Sequence, residues 1–151
     1  MANRNRTRPT RVLHARNVTN GQLVQMVTKA AHMAVGTMQW PRQLPQEDAP
    51  RIIHHYLRRH VRYFAEPPSM QVVRLPSATV KQKQADCKST AVFLVAAAHA
   101  AGYPVALRFI KQGGRQAYSH VYALVDGVPV DPLMPYGQEP VSSGRKDITI
   151  Q

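Results

Sequence analysis

Ser119-His120-Val121-Tyr122-Ala123-Leu124-Val125-Asp126-Gly127-Val128-Pro129-Val130-Asp131 is the stretch on which the fold turns. Asp126-Gly127 lies between two runs of strand-forming residues, and this pair favours a two-residue type I′ hairpin turn. The spacing predicts strands over residues 118–125 and 128–130. With that turn, Val125 faces Val128, Ala123 faces Val130 and Tyr122 faces Asp131. Opposed residues project from one face of the sheet, and His120 lies two positions before Tyr122. His120 and Asp131 are therefore diagonal neighbours on that face. A carboxylate so placed can orient an imidazole, which can then serve a nucleophile. Val121, Ala123 and Val125 fill the opposite face. The hairpin alone leaves open which face a helix covers.

Working back from the hairpin, Gly113-Gly114 marks a turn and Val105 to Ile110 reads as a strand. Before it, a helix is predicted from Asp86 or Cys87 to Gly102, with Ala91, Leu94, Val95, Ala98 and Ala101 buried. Its alanines allow close packing on a sheet. Cys87 falls in the first turn, where the helix dipole favours a thiolate and backbone amides can receive an oxyanion. Two further helices are predicted upstream. One runs near 20–38, capped by Thr19 or Asn20 and ended by Trp40-Pro41. The other runs from a cap at Asp48 to residue 64, with Pro50 in its first turn. His54, His55 and His60 lie on the second at spacings of five and six, which is not the four-residue spacing of a helical zinc pair. They read as solvated or core-edge residues. Pro67-Pro68 ends this helix. Residues 69–84 read as a surface loop with a short extended piece at Gln71–Val73, and Ile148–Ile150 as an edge strand. Helices followed by a helix docked on an antiparallel sheet make an α+β domain.

Composition bounds the rest. The 151 residues suffice for one domain, 44% hydrophobic and 19% charged, far from a disordered composition. No run of 18 apolar residues is present, so no membrane span is expected, and the polar N-terminus does not read as a secretory signal. A lone cysteine excludes an intrachain disulfide and a multi-cysteine zinc site, and suits a reducing, cytoplasmic setting. No metal or cofactor is expected. The net charge of +12 favours acidic partners. Arg4, Arg6, Arg8, Arg11 and Arg16 mark residues 1–18 as a flexible basic arm preceding a domain over 19–151. Such an arm can meet nucleic acid or the subunits of a virion, or merely solubilise the chain.

Ala85-Asp86-Cys87-Lys88-Ser89-Thr90-Ala91-Val92-Phe93-Leu94, then Ala100-Ala101-Gly102-Tyr103-Pro104-Val105, resembles the nucleophile helix of the transglutaminase-like superfamily. Ser119-His120-Val121-Tyr122 and Val128-Pro129-Val130-Asp131-Pro132 resemble its histidine and aspartate strands. Val61-Arg62-Tyr63, Glu66-Pro67 and Val73-Arg74-Leu75-Pro76 resemble the lead-in of short bacterial and tailed-phage members. The resemblance spans about residues 52 to 140. It implies a papain-like core of a nucleophile helix on a small antiparallel sheet, preceded by two helices. It implies Cys87 as nucleophile, His120 as general base and acid, and Asp131 as orienter. The Cys87 amide would be one oxyanion donor and Gln84 or Gln82 a second. Ala85 stands where the family usually has glycine, and Lys88 where an acidic residue is common. The activity implied is that of a cysteine hydrolase (peptidase, isopeptidase or amidase) acting on a protein or peptide through a thioester. Two alternatives stand beside it. One is a transglutaminase or deamidase. The other is a phage virion or assembly protein with the same fold, motivated by the basic arm and the proline-rich stretch from Pro132 to Pro140.

Overall fold

A computed structural model describes residues 11–67 and 69–151. The chain runs β1 (Val12–Arg16), α1 (Asn20–Ala34), a 3-10 turn (Trp40–Gln43), α2 (Ala49–His60), β2 (Arg62–Tyr63), β3 (Met70–Arg74), α3 (Pro76–Gln82), β4 (Gln84–Ala85), α4 (Cys87–Ala100), β5 (Val105–Lys111), β6 (His120–Val125), β7 (Val128–Val130) and β8 (Gly144–Ile150). This is the expected α+β class.

α4 is the centre of the molecule. Every residue from Lys88 to Ala98 is buried, a helix enclosed on all sides rather than on the one face the periodicity predicted. One flank meets the sheet β7-β6-β5-β8, and the others meet α1, α2, α3 and β3. Small side chains make this enclosure possible, because Ala91, Ala96, Ala97 and Ala98 let neighbours approach closely.

The sheet is antiparallel throughout. Asp126 (φ 51°) and Gly127 (φ 76°) both take the left-handed backbone a type I′ turn requires. Val125 pairs with Val128 and Ala123 with Val130, the register expected from the turn. Val121, Ala123 and Val125 face α4 in the main core, whereas Tyr122 and Leu124 join Ile110 in a small cluster on the other face. β8 pairs with β5 over seven residues, longer than the predicted edge strand.

The N-terminal half departs further from expectation. The first ten residues of the predicted arm lie outside the described residues, but Val12–Arg16 form a strand paired antiparallel with β3. Leu13 packs on the core, which gives this basic segment a reason to order. α1 stops at Ala34, short of 38, and Gly36 follows with φ +85°. α2 stops at His60, short of 64, because Arg62-Tyr63 pair in parallel with Gln84-Ala85. Residues 69–84 are not a loop. They hold β3, then α3, whose Pro76 occupies a first-turn position that needs no N–H and whose Ala78 and Thr79 are buried. Three helices, not two, therefore precede α4.

Candidate active site

Cys87 opens α4, and the residue before it caps the helix. Asp86 Oδ1 accepts hydrogen bonds from the amides of Lys88 (3.0 Å) and Ser89 (3.2 Å). Among the described residues no side chain takes the Cys87 amide. Asp86 and Lys88 are both buried, and Lys88 Nζ donates to Asp86 Oδ2. Lys88 is thus neither solvated nor free to act on the thiol alone. It neutralises the capping carboxylate that would otherwise place negative charge beside Cys87.

Chain direction brings His120 to the same end of the molecule. α4 runs away from Cys87, β5 returns, and β6 starts at His120, paired with Ile110 near the end of β5. His120 Nε2 donates to Asp131 Oδ2 at 2.5 Å, with side-chain exposures of only 9% and 2%. Cys87 lines the same cleft as His120, and its charge acts on the ring. Burial alone would lower the His120 pKa. Hydrogen bonds to Asp131 and Cys87, and the negative charge on both, outweigh it and push the value up to about 10. The imidazole is consequently an imidazolium at neutral pH, held on the Asp131 carboxylate.

Asp131 follows the last residue of β7 and is fixed by a turn. Its Oδ1 accepts from the Leu133 amide at 3.0 Å, and its carbonyl accepts from the Met134 amide at 3.0 Å. The predicted neighbours His120 and Asp131 thus meet, while α4 covers the opposite face of the sheet and its first residue, Cys87, shares a cleft with His120.

A cleft of about 320 Å³ runs over the thiol. Asp86, Cys87 and Lys88 line it. Tyr63, Glu66 and Gln71 stand on one side, Arg115 and the 117–121 segment on the other. Asn20, read as a candidate cap, has a different task. Thr19 caps α1 in a reciprocal pair with Gln22, while Asn20 bonds the Gln116 carbonyl (2.8 Å) and the Tyr118 amide (3.0 Å). It thereby ties the segment entering His120 to α1. The Tyr63 phenol is pushed up to about 12, first by burial and then by the charges of Cys87, Asp86 and Asp131, so it remains a neutral donor beside the thiol.

Gln82 and Gln84 are not in this cleft. Gln82 Oε1 accepts from Arg74 Nε at 2.5 Å and Gln84 Oε1 from Arg62 at 3.4 Å, which holds both amides elsewhere. The amide side chain that does line the cleft is Gln71, on β3. The sequence places Gln71 in a short extended piece within a predicted surface loop, with nothing to direct it to Cys87. Among the described residues no group of three or more His, Cys, Asp or Glu could hold a metal ion, and no helix is long and apolar enough to cross a membrane.

Residues 31–131, about two thirds of the chain, match the sequence profile of the transglutaminase-like superfamily. The chain belongs to that superfamily. The matched segment contains Cys87, His120 and, as its last residue, Asp131. No curated protein matches the chain. A solved chain described as a candidate cysteine protease from Cytophaga hutchinsonii is similar, with 13% identity and a TM-score of 0.43. The match covers 76% of this superfamily member and 39% of that chain.

Proposed function

We propose that this superfamily member is a cysteine hydrolase that cleaves amide bonds in a peptide or protein through a thioester acyl-enzyme. One observation carries the reading. An imidazole with a 9% exposed side chain bonds a buried carboxylate through Nε2 and lines one open cleft with a helix-N-terminal thiol. In this reading Cys87 Sγ attacks the carbonyl carbon as a thiolate. The oxyanion collects on the Cys87 amide. His120 gives its proton to the leaving amine, the C–N bond breaks and a thioester remains. His120, now neutral, takes a proton from water, hydroxide character attacks the thioester, and acid and thiolate are released. An amine in place of that water would give transglutamination by the same first half-reaction.

The test is the rate at which iodoacetamide alkylates Cys87 near pH 6 in the native chain and in His120→Ala. An activated thiolate reacts fast there and slows sharply once His120 is gone. Slow alkylation in both would end the hydrolase reading and favour the alternative of a non-catalytic assembly protein with this fold.

A further inference from the structure

α2 buries a histidine that takes no part in the chemistry above but touches the backbone of its acid. His54 is 6% exposed, and its Nε2 lies 3.0 Å from the Asp131 carbonyl oxygen and 2.9 Å from that of Met134. We propose that His54 is a positioning residue for Asp131, a clamp that fixes the 131–134 turn so that the carboxylate stays aimed at His120.

Three observations converge on this. First, the β6–β7 ladder ends at the Ala123–Val130 pair, so no strand pairing holds the backbone of Asp131. Its position depends on the turn. Second, both groups facing Nε2 are carbonyl oxygens, which only accept. The nitrogen must carry the hydrogen and share it between them, so the bonding excludes the Nδ1–H tautomer of His54. Third, the clamp is rigid from behind. α2 is seated in the core by Ile53 and Leu57. The His54 ring meets the edge of Tyr136 at 5.7 Å, and the Arg51 guanidinium lies 4.3 Å over the Tyr136 face. Arg58 Nη1, one helical turn on, donates to the same Met134 carbonyl at 2.7 Å. A helix that does not line the cleft therefore holds the backbone of the residue that bonds His120. Without the Nε2 donor, two carbonyls each lose one of their partners, and the turn that aims Asp131 is left on its own amides and Arg58 alone.

The inference rests on the hydrolase reading only for its catalytic consequence, and the experiment separates the two. In the full native chain, nitrogen-15 NMR of the imidazoles should find His54 as the Nε2–H tautomer at neutral pH. His54→Leu removes the donor, whereas His54→Gln keeps an amide N–H at nearly the same reach. The leucine variant should lower the titration midpoint of His120 by about one pH unit or more and slow Cys87 alkylation by about tenfold. The glutamine variant should restore most of both. A purely space-filling His54 would give a different pattern, in which His54→Leu melts earlier while the His120 titration and Cys87 rate stay native. That pattern overturns the proposal, as does an Nδ1–H tautomer in the native chain. If the leucine variant does not fold, the native tautomer and the glutamine variant still decide. If Cys87 is inert in the native chain, the hydrolase reading falls, and the His120 titration still tests the clamp.

Discussion

Two ionic arrangements stand two residues apart on the same face of β6. At His120 the partner is Asp131. At Tyr122, whose hydroxyl donates to Glu139 at 3.0 Å, the partners extend to Arg108, which bonds Glu139 and grips both oxygens of Asp147 at 2.7 and 2.8 Å. By geometry the second is the better made, a two-pronged guanidinium–carboxylate pair across neighbouring strands. It differs in exposure. The Asp131 side chain is 2% exposed, while those of Glu139 and Asp147 are 43% and 41% exposed. Solvent screens the second set, so it fastens β8 and the 131–143 segment to the sheet with little energy. Asp131 has no such relief, and its charge acts at close to full strength on one imidazole. Burial, more than contact geometry, separates a reactive arrangement from a bracing one.

The largest effect is expected from removing the buried charge alone. Asp131→Asn keeps the shape but cannot hold His120 as an imidazolium. By analogy with other oriented-histidine sites, turnover of a p-nitrophenyl ester should fall by up to about 10⁴-fold. Native-like turnover would show that Asp131 orients nothing. The same variant tests the stability linkage. His120 in the folded chain titrates near 10, above its ordinary value of about 6.5. Protonation therefore favours the folded state. The stabilisation is complete below about pH 6.5 and is lost as pH rises toward 10, at up to about 1.4 kcal/mol per pH unit for a single proton. Urea midpoints of the native chain should drop across that window, and those of Asp131→Asn should drop less.

A second buried pair, Asp86 with Lys88, extends the comparison to the lining of the cleft. Lys88→Met leaves a buried capping carboxylate without its cation and should cost about 3–5 kcal/mol in chemical unfolding. Adding Asp86→Asn to it should recover much of the loss, since the neutral pair retains a capping oxygen. A loss below about 1 kcal/mol in the single variant would mean that water reaches Asp86 and screens it as it screens Asp147.

What could be read from the sequence tracks how local the determinant is. Asp126-Gly127 dictates turn and register within a dozen residues, so the meeting of His120 with Asp131 was accessible before any coordinates. The first-turn placement of Cys87 was legible from Asp86, a good cap. The arrival of Cys87 beside His120 depends on α4, β5 and β6 alternating in direction, and the family resemblance supplied it. β1 was hidden because five arginines in sixteen residues dominate a segment whose order comes from pairing with β3, sixty residues away. α3 was hidden because seven residues after a proline pair give too little periodicity, and its burial is tertiary. Gln71 lies on β3, read only as a short extended piece, and its place in the cleft is set by tertiary packing. His54 left a fainter signal. It follows Ile53 and precedes Leu57 by three, which puts it beside the apolar stripe of α2, but only the turn after Asp131 gives it carbonyls to hold.

The smallest effect belongs to the exposed arrangement. Arg108→Gln breaks the bonds to Asp147 and Glu139 but leaves two carboxylates that water can solvate. Stability should fall by no more than about 1 kcal/mol, and the difference from the native chain should shrink further in high salt. Alkylation of Cys87 should proceed at the native rate, because nothing in that arrangement bonds His120. The two arrangements touch at the His120–Tyr122 ring contact, with centroids 6.0 Å apart. If Arg108→Gln does slow alkylation, that contact transmits, since a Tyr122 released from its partners would shift the imidazole it touches. The pair Arg108→Gln and Tyr122→Phe would then show non-additive losses, and the two arrangements on β6 would have to be treated as one.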